Sequence, residues 1–225
     1  ASSTGFLKGS TGTLSAVTSI VEGDFGFTDI TTANASTTAH GLLKKLDNTA
    51  TNVMDGAGNW HALPAQFLVL DVQSGKLPTS NPMAIDAGDQ NWRGLFDATT
   101  SESAIWQFIM PQSYGSSLSL RAVFSMNATQ VGANHVYLYA YLMAVTPSVD
   151  STDIGSNSFD SANEGQHTLE NNQTAGYPRV QSIAITHDDS VAAGDIVLLK
   201  LIRDIGDDAS GDVELLGLIL EWTAA

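Results

Sequence analysis

The sequence predicts an all-β fold: a jelly-roll-like antiparallel β-sandwich preceded by an extended, largely irregular N-terminal arm. Three observations carry that reading. Leu118, Leu120, Ala122, Phe124 and Met126 alternate with Ser119, Arg121, Val123 and Ser125, the period of two that marks a strand with one buried face. About eight such segments recur between residues 65 and 225, separated by turn-forming residues and with no convincing helix between them. Residues 1–64, by contrast, are rich in Thr, Ser, Ala and Gly and sustain no period.

A segment like 1–64 buries too little apolar surface alone to offset its ordering entropy, so it reads as an attachment arm ordered against a partner. It contains an internal echo. Phe6-Leu7-Lys8-Gly9-Ser10-Thr11-Gly12-Thr13-Leu14 is similar to Asn52-Val53-Met54-Asp55-Gly56-Ala57-Gly58-Asn59-Trp60, each a tight glycine turn presenting an anchor side chain. Between them, Ser36–Leu46 is the one plausible short helix, capped by Ser or Thr and weakened by Gly41. The boundary falls near Ala62-Leu63-Pro64, which divides the chain into an arm, 1–64, and a β-domain, 65–225.

The strands expected beyond it are 67–72, 91–96, 104–110, 118–126, 135–145, 179–185, 195–203 and 213–222. Residues 103–126 read as a hairpin, with Pro111 ending the ladder and Tyr114-Gly115-Ser116 supplying the turn. The one long interruption, Thr146–Pro178, is full of Ser, Asp, Asn and Gly. A loop of that length is functional or ordered by a neighbour, which makes it the candidate binding tip.

Three strands are apolar on both faces. Val136, Leu138, Ala140, Leu142 and Ala144 oppose Tyr137, Tyr139, Tyr141, Met143 and Val145. Leu216, Leu218, Leu220 and Trp222 oppose Val213, Leu215 and Ile219, and residues 195–203 are similar. A two-layer sandwich needs one buried face per strand, so the second face needs a cover. Long loops of the same chain are one cover. Neighbouring subunits are the other, and Tyr and Met suit an interface. The expectation is a homotrimer with Tyr137, Tyr139, Tyr141, Leu216, Leu218, Leu220 and Trp222 at its subunit interface.

Composition excludes several classes. The net charge is −15, with nine Lys+Arg against 24 Asp+Glu, and residues 150–225 alone hold 14 acids against three bases. Binding to phosphate backbones or anionic membranes needs clustered bases, so neither nucleic acid nor membrane is an expected partner. With no cysteine, disulfides and thiolate metal sites are excluded. No run approaches 18 apolar residues, and no signal peptide is visible. Three Asn-x-Ser/Thr triplets, at Asn34, Asn127 and Asn172, read as chance without secretion.

Catalytic signals are poor, and the chain is not expected to be an enzyme. Asp24-Phe25-Gly26 lacks every other kinase element, and no nucleophile elbow, phosphate loop or His-Glu-x-x-His pair occurs. The histidines at 40, 61, 135, 167 and 187 are scattered singly, as surface or packed imidazoles. Asp204, Asp207, Asp208 and Asp212 have the oxygen-rich look of a structural calcium loop, but the glycine and glutamate of the EF-hand pattern are missing. A hairpin turn with Ser210-Gly211 or Ala209-Ser210 at its tip is the plainer account, and no cofactor is expected. Paired carboxylates could also serve glycosidic hydrolysis, but these sit among turns without an aromatic platform.

One stretch resembles a known family. In Asn34–Trp60, Ser36, Thr37, Thr38, His40, Gly41, Leu42, Leu43, Lys45 and Leu46, followed by Gly56, Gly58 and Trp60, resemble a linker module of tailed-bacteriophage structural proteins. Lys44 stands where proline is frequent there, and Met54 replaces a leucine. The segment Trp106–Pro111 and the strand after it are similar to the jelly-roll heads of phage fibre and decoration proteins. The resemblance implies a non-enzymatic, trimeric component of the virion surface, assembled in the bacterial cytoplasm. Its arm would dock on the major capsid protein or another virion protein through Phe6, Leu7, Leu14, Leu42, Leu43 and Trp60. A capsid decoration (cement or head-fibre) protein is the first expectation. A tail-fibre protein gripping a host-surface glycan or protein is the alternative, and a carbohydrate-active virion enzyme the third.

Overall fold

The computed structural model describes residues 6–10, 13–17, 52–62, 64–87, 90–151 and 153–224. The chain divides into two units, Ala1–Leu63 and Pro64–Ala225.

In the first unit both halves of the sequence echo are β-hairpins rather than irregular chain. Strands β1 (Phe6–Ser10) and β2 (Thr13–Val17) pair antiparallel with Ser10 opposite Thr13. Leu7 lies opposite Ala16 and Leu14 opposite Gly9. Strands β3 (Asn52–Met54) and β4 (Trp60–Ala62) form the second hairpin, with Met54 opposite Trp60. Its turn is built by Asp55, whose Oδ1 accepts from the amides of Ala57 (2.9 Å) and Asn59 (2.8 Å), while Gly58 takes a φ of +82° that a side chain would resist. Leu42, Leu43 and the helix expected over 36–46 lie outside the described residues.

The second unit is an antiparallel β-sandwich of jelly-roll-like layout. It contains β5 (Gln66–Leu70), β6 (Ala84–Ala87), β7 (Trp92–Phe96), β8 (Ser103–Ile109), β9 (Tyr114–Met126), β10 (His135–Val145), β11 (Asn163–Thr168), β12 (Arg179–Ala184), β13 (Ile196–Arg203) and β14 (Val213–Ala224). A four-stranded sheet runs β11-β10-β13-β8, and a six-stranded sheet runs β12-β9-β14-β7-β6, with β5 also paired to β14. The sole helical element among the described residues is a single 3-10 turn, Val72–Ser74, capped by Asp71.

The inward rows of the two sheets meet in one core. Trp106, Leu138, Leu142, Val197 and Leu199 come from the four-stranded sheet, and Leu120, Phe124, Val213, Leu218 and Leu220 from the six-stranded one. At about 25 cal/mol per Å2 of apolar surface removed from water, this core is the main stabilising term. Trp106 also donates from Nε1 to the Asp71 carbonyl (2.8 Å), so its one polar atom is satisfied.

Two sequence-based expectations change here. Residues 103–126 are not a hairpin: β8 pairs with β13 in one sheet while β9 pairs with β12 and β14 in the other, so Pro111 marks a crossing between layers. The loop 204–212 likewise joins β13 to β14 across the sheets rather than closing a hairpin.

In β14 the register slips between Leu215 and Gly217. That bulge at Leu216 reverses the alternation, so Val213 and Leu215 share the inward face with Leu218, Leu220 and Trp222. Leu218 and Leu220 are fully buried and Trp222 nearly so. The chain's own core therefore takes up three of the residues expected at a subunit interface, and Leu216 sits half-buried in the bulge.

The tyrosines behave differently. Tyr137, Tyr139 and Tyr141 point outward from the four-stranded sheet and are half-buried. Part of this second face is covered from within the chain. Asp160 N donates to the Leu142 carbonyl (2.8 Å), and the ammonium of Lys200 lies 4.5 Å from the Tyr141 ring centroid and 4.4 Å from that of Phe159. Met143 and Val145, on the same outward row, are buried. Ile109, at the far edge, remains 57% exposed.

Candidate functional site

The acidic loop after β13 is a structural device. Arg203 is fully buried and its fork is saturated. Nε and Nη2 bind the Asp207 carboxylate at 2.8 and 2.9 Å, Nη1 reaches the carbonyls of Gly211 (2.8 Å) and Phe96 (3.2 Å), and Nη2 also that of Ala209 (3.4 Å). The other carboxylates turn elsewhere. Asp208 accepts from the His135 amide, Asp212 from Ala98 N (3.1 Å) and Asn127 Nδ2 (2.9 Å), and Asp204 from Gly206 N (3.0 Å). Burial, reinforced by its hydrogen bond to Asp204, pushes the Tyr139 phenol up to about 12. The four aspartates with the look of a calcium loop thus each take separate partners, and no group of three or more His, Asp or Glu that could hold a metal occurs among the described residues.

A concave site lies in the second half of the Thr146–Pro178 stretch. A cleft of about 560 Å3 opens between the end of β11 and the start of β12, floored by the connection 169–178. Strand β11 is an edge of the four-stranded sheet and β12 an edge of the six-stranded sheet, so the cleft straddles the seam of the sandwich.

The connection is held in place by its backbone. Leu169, completely buried, plugs the core and its amide donates to the Asn134 carbonyl (2.7 Å). Gln130 N donates to Gln173 O (3.0 Å), and Gly176 N to Met126 O (2.8 Å). Asn171 Oδ1 accepts from Gly132 N at 2.7 Å. Asn172 and Gly176 take positive φ, +58° and +77°, as residues tolerant of the left-handed region. A loop tied at this many points presents its side chains without a further ordering cost.

Gln173 is the telling side chain. It lines the cleft and is only 9% exposed; its Oε1 accepts from Glu170 N (3.1 Å), but its buried Nε2 has no hydrogen-bond partner among the described residues. Leaving a buried donor unmade costs about 1–3 kcal/mol, so the group calls for an acceptor from outside. Around it stand Glu170, Asn171, Asn172, Thr174 and the exposed Tyr177 ring. The Arg179 guanidinium lies 4.2 Å over that ring and donates from Nη1 to the Pro178 carbonyl (2.8 Å). His167 packs edge-on against Phe124 with centroids 5.3 Å apart. Burial, and then the Arg179 charge, hold its imidazole below the usual histidine range, so it is neutral at pH 7.

The sequence nominated this stretch but not its working residues. Gln173, Tyr177 and Arg179 went unsingled, although the run Asn171-Asn172-Gln173-Thr174 beside an aromatic was a legible sign of hydrogen-bonding capacity. Of the residues expected to dock, Trp60 is half-buried in the β3–β4 hairpin. Phe6, Leu7 and Leu14 lie in β1 and β2.

No protein-family model matches the chain, and no curated protein does so either. Among solved structures, a xylan-binding module, CBM15, is similar at 13% identity with a TM-score of 0.42, covering 71% of this chain and 97% of that one. A carbohydrate-binding module characterised for specific mannan recognition, TmCBM27, is similar at 9% identity with a TM-score of 0.32, covering 70% and 99%. At such scores neither likeness speaks to a ligand or an activity of this chain.

Proposed function

We propose that this chain is a non-enzymatic surface protein of a tailed-phage virion whose β-sandwich recognises a host-surface glycan at the β11–β12 cleft. The observation that carries the recognition half is Gln173, a buried amide donor without an acceptor on the wall of a preordered cleft. Saccharides supply hydroxyls that both accept and donate. The amide of Gln173 and the carboxylate of Glu170 therefore offer complementary partners, and the exposed Tyr177 ring offers an apolar edge. The virion half rests on the sequence resemblance, whose glycine-tryptophan turn is the β3–β4 hairpin.

The test is glycan-array binding by the full chain and by Gln173→Glu. That variant keeps the acceptor used by Glu170 N and replaces the orphan donor with an acceptor. Binding by the parent and a loss of about tenfold in the variant are expected, measured on variant protein that still melts cooperatively although the added carboxylate lowers its melting temperature. Equal binding by both would overturn the site.

Capsid decoration is the second reading, favoured by the outward face of the four-stranded sheet, which carries exposed Ile109 on edge strand β8 and half-buried Tyr139 and Tyr141 on β10, a face suited to packing copies in a trimer. Immunogold labelling of intact virions separates the two: gold on heads with no glycan bound supports decoration. A monomeric mass by light scattering would remove the trimer.

A further inference from the structure

Arg179 stands apart from the other arginines. Arg93 pairs with Asp86 (3.0 Å) and Glu214 (2.6 Å), Arg121 with Glu221 (3.0 Å), and Arg203 with Asp207 (2.8 Å). In a chain where acids outnumber bases 24 to nine, a carboxylate partner is the ordinary outcome. Arg179 nonetheless has none among the described residues; a backbone carbonyl and the Tyr177 ring are its contacts. It lines the same cleft as Gln173, whose buried Nε2 has no acceptor among the described residues.

From this we infer that the cleft takes a saccharide bearing an anionic group, a carboxylate or a phosphate, with the anion on Arg179 and a sugar oxygen on Gln173. The inference rests on the glycan reading above and narrows it. A guanidinium over an aromatic ring, with one N–H spent on a backbone carbonyl, has further N–H donors to offer an oxyanion, the group whose geometry a guanidinium matches best. Charge-assisted bonds of this kind are about twice as strong as neutral ones. His167 is neutral and adds no competing charge. Glu170 also lines the cleft, and its carboxylate is an acceptor available to sugar hydroxyls. The −15 charge of the whole chain opposes an anion at long range. That repulsion is screened over roughly 8 Å at physiological salt, so the local guanidinium decides.

The experiment is an array of uronate-bearing, phosphorylated and matched neutral saccharides, probed with the full chain, with Arg179→Gln and with Gln173→Glu. Binding concentrated on acidic members is expected, with Arg179→Gln losing about tenfold on them and approaching the neutral level. The uronate and phosphate arms distinguish which anion is read. Salt should weaken the acidic interaction more than the neutral one. If neutral saccharides bind as well as acidic ones, or if Arg179→Gln binds undiminished, the inference falls while the glycan reading stands. If no saccharide binds, both fall.

Discussion

Arg203 and Asp207, four residues apart, form a two-point ion pair closed to solvent on both sides, at 2.8 and 2.9 Å. The pair folds the 204–212 connection onto the end of the four-stranded sheet and presents the guanidinium to three carbonyls. Asp207→Ala would leave a buried cation without its counter-charge. A loss of about 3–5 kcal/mol is expected, read as a lower urea midpoint. A loss below about 1 kcal/mol would show that the pair is dispensable.

Gly165, on β11, faces Ile183 of β12, and a Cβ at that position would collide with the Ile183 side chain. Ile183 is fully buried and cannot swing away. Gly165→Ala is therefore expected to cost about 1–3 kcal/mol by overpacking. Because β11 and β12 flank the cleft, it should also weaken ligand binding. The double variant Gly165→Ala/Ile183→Ala, which deletes the colliding Cγ1, should recover ligand binding relative to Gly165→Ala and cost less than the two single losses summed, and thermal melts of the singles and the pair check the assignment.

His167 gives the fold a pH dependence. Its folded value is depressed by burial and by Arg179, below the ordinary histidine value of about 6.5. Below pH about 6.5 the unfolded chain takes up a proton that the folded chain refuses. The stability is thus present above that pH and is lost as the pH falls toward the folded value. His167→Phe should flatten this slope in urea midpoints measured across pH 7 to 5.

All eight sandwich strands expected from periodicity are present, and 135–145 matches at both ends. What periodicity cannot say is which strand a strand pairs with. Residues 103–126 carry the pattern of two one-faced strands, and that pattern is equally satisfied by a hairpin or by two sheets facing one core. Two strands of the sandwich, β6 and β11, were not expected; β11 has Asn163, Gly165 and His167 on its inward row, so its pairing is fixed by backbone hydrogen bonds rather than apolar alternation. The bulge at Leu216 hid the true inward row of β14, because one extra residue inverts every parity after it. The cleft was legible as a long polar loop. Its orphan donor was not, since burial of Gln173 depends on Leu169 and on contacts with 126–134.

The connection 169–178 leaves one sheet and enters the other, with anchors to Asn134, Gln130 and Met126 along the way. A tether pulling on a ligand seated there would load both sheets at once, through strands β11 and β12 whose ladders lie side by side with their neighbours. Force would be shared among parallel rungs instead of peeling one hairpin rung by rung. Such an attachment point would divide traction between the two sheets, a consequence that equilibrium affinity does not measure.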